Sequence, residues 1–496
     1  MKARCGSAFS RRFAATALAL CLLGLAGCAV GPRYSRPSAT IPAEFKETPP
    51  YWKAAQPSDQ IAKGKWWEVF EDERLNELEE QISVSNQTVK AAQAQFDQAR
   101  ALVRFSRSAL YPNVTAGLNV TRNHQSSNRP NGSLAVNNSY TDLQFPVDAS
   151  YEVDVWGSLR RSVQAARENA QASAADLESV GLTLHAELAS DYFQLRTLDA
   201  DEQLLNSTVA AYEKALELTE NRYKGGIVSQ VDVAQAQTQL ETTRAQAMDL
   251  GVQRAQFEHA IAVLIGQPAS GFSLASLPLD HTPPAVPPGL PSDLLERRPD
   301  IAGSERRMAA ANELIGIARA AYFPTLTLNA SGGFESTSIT NWFSGPSGFA
   351  AAGISTLVTV FDAGRRRAAA EQATAAYNQS VANYRQTILN SFQEVEDSLA
   401  ALRILEDEAR TQDGAVRAAE RSLELSNNRY KGGVATYLEV ITAQSTALSD
   451  QRVAVEIAGR RMAASVSLIK ALGGGWTIAH LPMVEKGNQA QSASGQ

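Results

Sequence analysis

The chain has few of the residues from which active sites and disulfide frameworks are usually built. Its 496 residues include only three cysteines and five histidines. The histidines, at 124, 185, 259, 281 and 480, lack a metal-ligand spacing such as HExxH, and no phosphate-binding glycine loop follows a predicted strand. We therefore predict that the protein is not an enzyme, has no metal site and needs no cofactor. Each histidine is expected to be a surface or packing residue.

Long apolar runs are also missing after the N-terminus. Basic residues between Lys2 and Arg12 precede an apolar run from Phe13 to Ala26, which is the layout of a secretory signal. Beyond it we find no run of eighteen apolar residues, so no other membrane-spanning helix is expected. If such a chain crosses a membrane, it does so as a closed β-barrel.

The signal ends on Leu25-Ala26-Gly27-Cys28, which resembles the lipobox of bacterial lipoproteins. The resemblance implies a signal peptide over 1–27, acylation of Cys28 with palmitate, and a lipidated N-terminal segment over 28–67. The alternative is that Cys28 is a small buried residue near a cut made elsewhere. Loss of 1–27 removes four positive and no negative charges, so the formal charge falls from −6 to −10. An acidic exported chain is a poor partner for nucleic acid.

One sequence segment occurs twice. Residues 221–233 read NRYKGGIVSQVDV and residues 428–440 read NRYKGGVATYLEV, a shift of 207. We predict two repeats, 68–268 and 299–476, each made of a helix, two strands and a long helical hairpin. Residues 269–298 are predicted to be a proline-rich linker. Residues 477–496 are predicted to be a flexible C-terminal tail.

The helical parts of the repeats are predicted to be rods. Leucines from 177 to 205 follow a heptad seam, which is typical of coiled coils. The stretch from Gly157 to Lys224 has no proline, so as one helix it measures about 100 Å, and the stretch from Gly364 to Lys431 is similar. After each rod a glycine pair ends the helix, and Ser229 with Asp232, or Thr436 with Glu439, caps the next one. The two tips are predicted either to act only as helix caps or to lie side by side and form a docking surface.

Four segments are predicted to be strands. They are 113–121, 142–155, 325–334 and 353–361. From Asp142 to Val155 apolar residues alternate with acidic ones, which fits a wall that faces lipid outside and water inside, although Pro146 removes a ladder hydrogen bond. The alternative is an ordinary half-buried sheet. Four strands cannot close a barrel; two chains would give eight strands and a filled interior, whereas three would give twelve and a lumen, so we expect a trimer.

Several motifs together resemble the TolC-like outer-membrane efflux channel family and its lipoprotein branch, NodT. They are the lipobox, LLERRPDI at 294–301, IGIARAAYFP at 315–324, both RYKGG tips and ALGGGW at 471–476. The resemblance implies a mainly α fold with a transmembrane β part: a trimeric 12-stranded β-barrel, four strands per chain, continued by a long α-helical coiled-coil barrel with an internal tandem repeat. It also implies a Gram-negative outer membrane, lipid contact, a homotrimer, a periplasmic adaptor (membrane fusion) protein and an inner-membrane efflux pump that exports drugs or other small molecules.

Carried over from the family, the adaptor contacts fall on the hairpin tips and the pore gate just inside the second tip. The predicted docking residues are Arg222, Gly225, Gly226, Val228, Ser229, Arg429, Gly432, Gly433, Ala435 and Thr436. The predicted gate residues are Leu438, Glu439 and Thr442, where Thr442 departs from the family's acidic pattern and Glu439 either supplies the charge or only caps its helix. A type I protein secretion duct is an alternative function. A coiled-coil lipoprotein scaffold without a pore is another, which the acidic alternation disfavours.

Overall fold

A computed structural model describes residues 30–38, 41–47, 65–124, 126, 139–284, 286 and 291–476. The predicted signal, Cys28 and the predicted C-terminal tail lie outside the described residues. The long helices are α1 (Glu73–Ser85), α2 (Gln87–Ser108), α3 (Ser158–Lys224), α4 (Gln230–Leu264), α5 (Pro299–Ala320), α6 (Arg365–Lys431) and α7 (Tyr437–Ala471). The strands are β1 (Asn113–Ala116), β2 (Asn119–His124), β3 (Ser139–Glu152), β4 (Thr325–Ser336) and β5 (Gly348–Leu357). Short helical turns span Trp66–Phe70, Ala269–Gly271, Pro291–Asp293, Leu294–Arg297, Ile339–Asn341 and Gly345–Ser347.

The two halves of the chain have the same helical plan. Helices α3 and α6 have 67 residues each, and α4 and α7 have 35 each. Both rods run without a break to the predicted lysines, because no proline interrupts them. Leu188, Leu195 and Leu205 are fully buried, as the heptad seam predicts. The rods, the hairpins and the internal repeat are therefore confirmed.

The strands form one open antiparallel sheet. Its order is β1/β2, β3, β4, β5, and β1 and β2 both pair with β3, so they act as one interrupted strand. The interruption lies opposite Pro146, whose carbonyl accepts a hydrogen bond from the Gly117 N–H at 3.0 Å. Since proline has no N–H to return, the ladder breaks there. Pro146 nevertheless lies within β3, so four strands per chain are confirmed.

The register gives the sheet two different faces. Directly paired residues of antiparallel strands share a face. Val114 shares a face with Ala149, as does Leu143 with Val120 and Tyr151 with Leu328; we call this the apolar face. The opposite, polar face has the acidic residues Asp142, Asp148, Glu152 and Glu335, together with Asn113, Thr115, Asn119, Thr121, Gln144, Asn329 and Ser355.

Two details of the strand prediction are wrong. Asp154 lies beyond β3, and its carboxylate accepts hydrogen bonds from the backbone N–H groups of Leu159 and Arg160 at the start of α3. It therefore secures a helix start and is not one of the carboxylates on the polar face. The fourth strand ends at Leu357, and the apolar Val360 and Phe361 lie exposed in the turn before α6.

The main core joins the middle of the helices to the segment before α1. Trp66 and Phe70 are buried there, and the Phe70 ring lies 4.9 Å from that of Phe193 on α3. The linker straps this region, since the Arg254 and Arg196 guanidinium groups donate to the carbonyls of Leu274 and Ala275 at 2.7 and 2.8 Å. The core thus holds the two rods, α3 and α6, at the middle of their length, and the ends of the rods lie outside this core.

No helix among the described residues is long and apolar enough to cross a membrane.

Candidate functional site

Both hairpin tips are built in the same way. The second glycine of each pair, Gly226 or Gly433, has a left-handed backbone, with φ of 72° and 76°. The first glycine of each pair does not, so only one glycine per tip is needed for the turn. The N–H of the residue after each left-handed glycine then donates back to the carbonyl of Arg222 or Arg429, at 2.9 and 3.0 Å. This closes each rod in a Schellman-type end.

The next helix of each hairpin begins with a capping box. Ser229 pairs with Asp232 in the first tip and Thr436 with Glu439 in the second, as predicted. The Glu439 carboxylate accepts from the Thr436 N–H at 3.3 Å, and its other oxygen lies 3.3 Å from the Arg429 guanidinium. Glu439 is thus engaged by the helix start and by the neighbouring cation.

The two tips lie side by side and touch. The Arg222 guanidinium donates to the Tyr430 carbonyl at 3.0 Å and lies 4.5 Å from the Tyr430 ring centroid. Tyr430 and Tyr437 are buried with their rings 5.2 Å apart, and Val228 packs against this cluster. Of the predicted docking residues, Arg222 and Val228 therefore join the two hairpins of one chain. Most of the others are exposed: Gly225, Gly226, Ser229, Arg429, Gly432, Gly433 and Thr436, while Ala435 is half-buried.

Sequence reasoning missed Tyr430 as the residue that links the tips. The RYKGG segment has a tyrosine in both copies, yet Tyr223 is exposed and Tyr430 is buried. The difference arises because only Tyr430 faces Arg222 of the other hairpin. A contact across about two hundred residues leaves no local pattern, so periodicity could not have found it.

The predicted gate residues lie on the first two turns of α7. Leu438 is 58% exposed, and Thr442 is exposed with its hydroxyl donating to the Leu438 carbonyl at 2.9 Å. Both border a groove of about 430 Å³ between α6 and α7 that also contacts Ser422 and Ser426. Because the Thr442 hydroxyl is neutral and Glu439 is paired with Arg429, this end of the hairpin offers an apolar side chain and hydroxyls rather than free carboxylates.

The N-terminal segment begins at the junction between sheet and helices. Val30 is two residues after Cys28 in the sequence, and its N–H donates to the Trp156 carbonyl at 3.1 Å. From there the segment runs down the helices, where the Tyr34 hydroxyl donates to the Glu305 carboxylate at 2.9 Å and Glu47 pairs with Arg403 at 2.6 Å. The described part of the N-terminal segment therefore starts close to the end of the sheet that adjoins the helices.

One histidine has a buried ionisable partner. The Glu79 side chain is fully buried, and its carboxyl lies 2.7 Å from Nδ1 of His185, whose ring stacks on Trp67 at 4.4 Å. Burial raises the pKa of Glu79 well above its ordinary value and lowers the pKa of His185 to about 4. Both shifts favour the neutral forms of the two side chains, and the pair is a packing element of the core, as expected for His185.

Among the described residues no group of histidines, cysteines and carboxylates could hold a metal ion. What the described residues present instead is a two-faced sheet, a pair of rods and two exposed tips.

Known proteins share this arrangement. A family model described as outer membrane efflux protein matches residues 78–267 and 290–474. The pyoverdine export outer membrane protein OpmQ of Pseudomonas aeruginosa is 32% identical over 463 residues, covering 92% of this chain and 96% of that protein. The toluene efflux pump outer membrane protein TtgF of Pseudomonas putida is 33% identical over 460 residues, covering 92% and 95%.

A solved structure agrees with these sequence relatives. The outer-membrane channel OprN superposes with a TM-score of 0.82 at 28% identity, over 90% of this chain and 100% of that one. The predicted fold class and the resemblance to outer-membrane efflux channels are both confirmed. The chain belongs to the outer membrane efflux protein family.

Proposed function

We propose that this protein is the outer-membrane channel of a tripartite efflux system. It receives drugs or other small molecules from an inner-membrane pump through a periplasmic adaptor protein and releases them outside the cell. The observation that carries the proposal is the continuity of one chain from a two-faced antiparallel sheet into two 67-residue helices with exposed tips. A non-channel scaffold has no use for a sheet with carboxylates on one face and aliphatic side chains on the other. The role is passage rather than catalysis.

Three copies complete the proposed channel. Among the strands that the structure describes, β1/β2 and β5 form the two edges of the sheet, and neither edge has a partner there. Pairing β5 of one copy with β1/β2 of the next satisfies both edges, and twelve strands enclose a lumen where eight would be filled by side chains. The polar face then lines the water and the apolar face meets outer-membrane lipid.

We also propose that Cys28 bears the lipid anchor. The support is that Val30, whose N–H donates to the Trp156 carbonyl, lies at the end of the sheet that adjoins the helices, and that Cys28 is two residues earlier in the sequence. This height fits a lipid that inserts from the periplasmic side. Mass spectrometry of the N-terminal peptide tests it, because unmodified Cys28 in protein purified from membranes would rule the anchor out.

The direct test of the channel is single-channel conductance in a planar bilayer, with the oligomer mass determined in the same detergent. We expect a trimer with a small, cation-preferring conductance, because the tips close one end and the sheet carries acidic residues. A monomer without conductance under any condition would overturn the proposal and leave a coiled-coil scaffold as the better account.

The gate is proposed to lie at Leu438 and Thr442, with the exposed tip residues as the adaptor contacts. Leu438→Ser replaces an apolar side chain at the narrow end by a hydroxyl, so we expect higher conductance and greater uptake of a large antibiotic. Val231→Ser is the matched control, since Val231 is 62% exposed and occupies the same position of the first hairpin. Equal behaviour of the two variants would contradict the assignment of Leu438.

A further inference from the structure

The loop between β4 and β5 has an aromatic cluster that the channel function leaves unused. The ring centroid of Phe343 lies 6.0 Å from that of Phe145 and 5.3 Å from that of Phe334. The same ring stacks on Trp342, with 5.0 Å between the centroids. The Trp342 indole N–H donates to the Phe334 carbonyl at 3.4 Å. Phe343 is 63% exposed and Ile339 is 75% exposed, so the loop presents apolar surface outward.

The register decides which side of the sheet this cluster covers. Phe145 pairs directly with Phe334, and two residues further along the strands Val147 pairs with Gly332. Since side chains alternate between faces, Phe145 and Phe334 share the face of Val147, which is the apolar face. The loop therefore folds down against the lipid-facing side of the sheet and not across the polar face that lines the lumen.

A second aromatic group lies at the other end of the same strand. The Trp156 ring stacks on Phe323 at 4.6 Å, and its indole N–H donates to the Pro324 carbonyl at 2.7 Å. From Pro324 to Phe334 the strand advances ten residues, about 33 Å along its axis, or about 25 Å in height at a tilt near 40°. That height equals the apolar band of a transmembrane barrel, which has aromatic residues at both borders.

Several polar groups of the loop pair within the loop itself. The Ser344 and Ser347 hydroxyls both donate to the Asn341 carbonyl, at 2.7 and 2.6 Å, and the Ser347 N–H donates to the Ser344 carbonyl at 3.0 Å. Backbone groups paired in this way are compatible with a position at the edge of a hydrocarbon layer, where unpaired groups are costly.

We propose that the β4–β5 loop is a membrane anchor that inserts Ile339 and Phe343, with the buried Trp342 stacked on Phe343, at the boundary between head groups and acyl chains of the outer leaflet. The inference rests on the proposed membrane placement of the sheet. Its partner is lipid acyl chain, because the cluster continues the apolar face without a gap and because tryptophan favours this boundary, with its ring in the apolar layer and its N–H bonded. The loop then fixes the height of the channel in the membrane.

The test uses tryptophan quenching by bromine in the full-length protein. Wild type, Trp342→Phe and Trp156→Phe are reconstituted into phosphatidylcholine vesicles brominated on the upper part of the acyl chains. We expect each substitution to remove a clear and similar share of the total bromine quenching, because both indoles lie near a border of the apolar band.

The outcomes separate the anchor from the channel. If Trp156→Phe lowers the quenching and Trp342→Phe does not, the loop stands in water and the anchor is refuted while the membrane placement holds. If neither substitution lowers it, the placement of the sheet fails as well. A second pair keeps the test independent of Trp342 itself: Phe343→Ser is expected to shift Trp342 emission to the red, whereas Phe349→Ser, on the polar face opposite Gly333, leaves it unchanged.

Discussion

At the scale of single residues, the Glu79–His185 pair predicts a specific dependence of stability on pH. The folded-state pKa of His185 is about 4, below its ordinary value of 6.5, so its contribution to stability is complete above pH 6.5 and is lost as the pH falls towards 4. The pKa of Glu79 is raised, so its contribution is complete below the ordinary carboxyl value and is lost as the pH rises through the raised value. The two residues therefore act in opposite directions.

The thermal unfolding midpoint measured from pH 7 to pH 4 checks this pair. We expect the midpoint of His185→Gln to fall less steeply on acidification than that of wild type. The reason is that the variant lacks the histidine that takes up a proton when the wild-type chain unfolds. Glu79→Gln is expected to fall more steeply, because it removes the opposing contribution. Equal slopes for the three proteins would show that neither residue binds protons differently in the folded and unfolded chains.

At the scale of elements, helix α7 packs tightly against α3 at Gly459. A Cβ atom built on Gly459 would lie 2.4 Å from the Thr197 hydroxyl oxygen and 2.8 Å from its methyl carbon. Gly459→Ala is therefore expected to force the hairpins apart and to cost about 1–3 kcal/mol, as overpacked cores do. Gly414 on α6 is the control, since nothing lies within 4 Å of its Cβ position and an added methyl favours the helix by about 1 kcal/mol.

Thermal unfolding followed by helical circular dichroism distinguishes these cases. We expect a lower midpoint for Gly459→Ala, an unchanged or higher one for Gly414→Ala, and partial recovery in Gly459→Ala with Thr197→Ala, because the double variant removes the clash. A midpoint for Gly459→Ala equal to that of wild type would mean that the two helices separate without cost. The Asp201–Arg452 pair, at 2.8 Å, holds the same two helices about one turn away along α3 and about two turns away along α7.

The elements also show what a sequence can and cannot predict. Rods, tips and capping boxes follow from local rules, namely proline absence, glycine conformation and side-chain caps, and the rods begin within one residue of the predicted positions. The fourth strand was placed too late, because Ala350, Ala351 and Ala352 give no alternation while the turn residues Val358 and Val360 do. The contact between Arg222 and Tyr430 joins distant parts of the chain, so no periodic signal predicts it.

At the scale of the whole molecule, the polar face predicts ion selectivity. In a trimer, Asp148 and Glu152 add six carboxylates to the proposed lumen, and a low-dielectric wall focuses their field on the water inside. Asp148→Asn with Glu152→Gln should therefore move the reversal potential in a KCl gradient towards zero. The shift should be larger at low salt than at high salt, where mobile ions screen fixed charge over a few ångströms.

The matched control removes the same number of charges elsewhere. Glu71→Gln with Glu73→Gln neutralises two exposed carboxylates at the start of α1, outside the sheet, and is expected to leave the reversal potential unchanged. If both double variants shift it equally, net charge rather than the polar face sets selectivity. If neither shifts it, the ions pass where these carboxylates do not reach, and the two-faced sheet does not enclose the pathway. A shift confined to the Asp148 and Glu152 variant, and weakened by salt, ties the acidic face of one open sheet to the water inside a closed assembly.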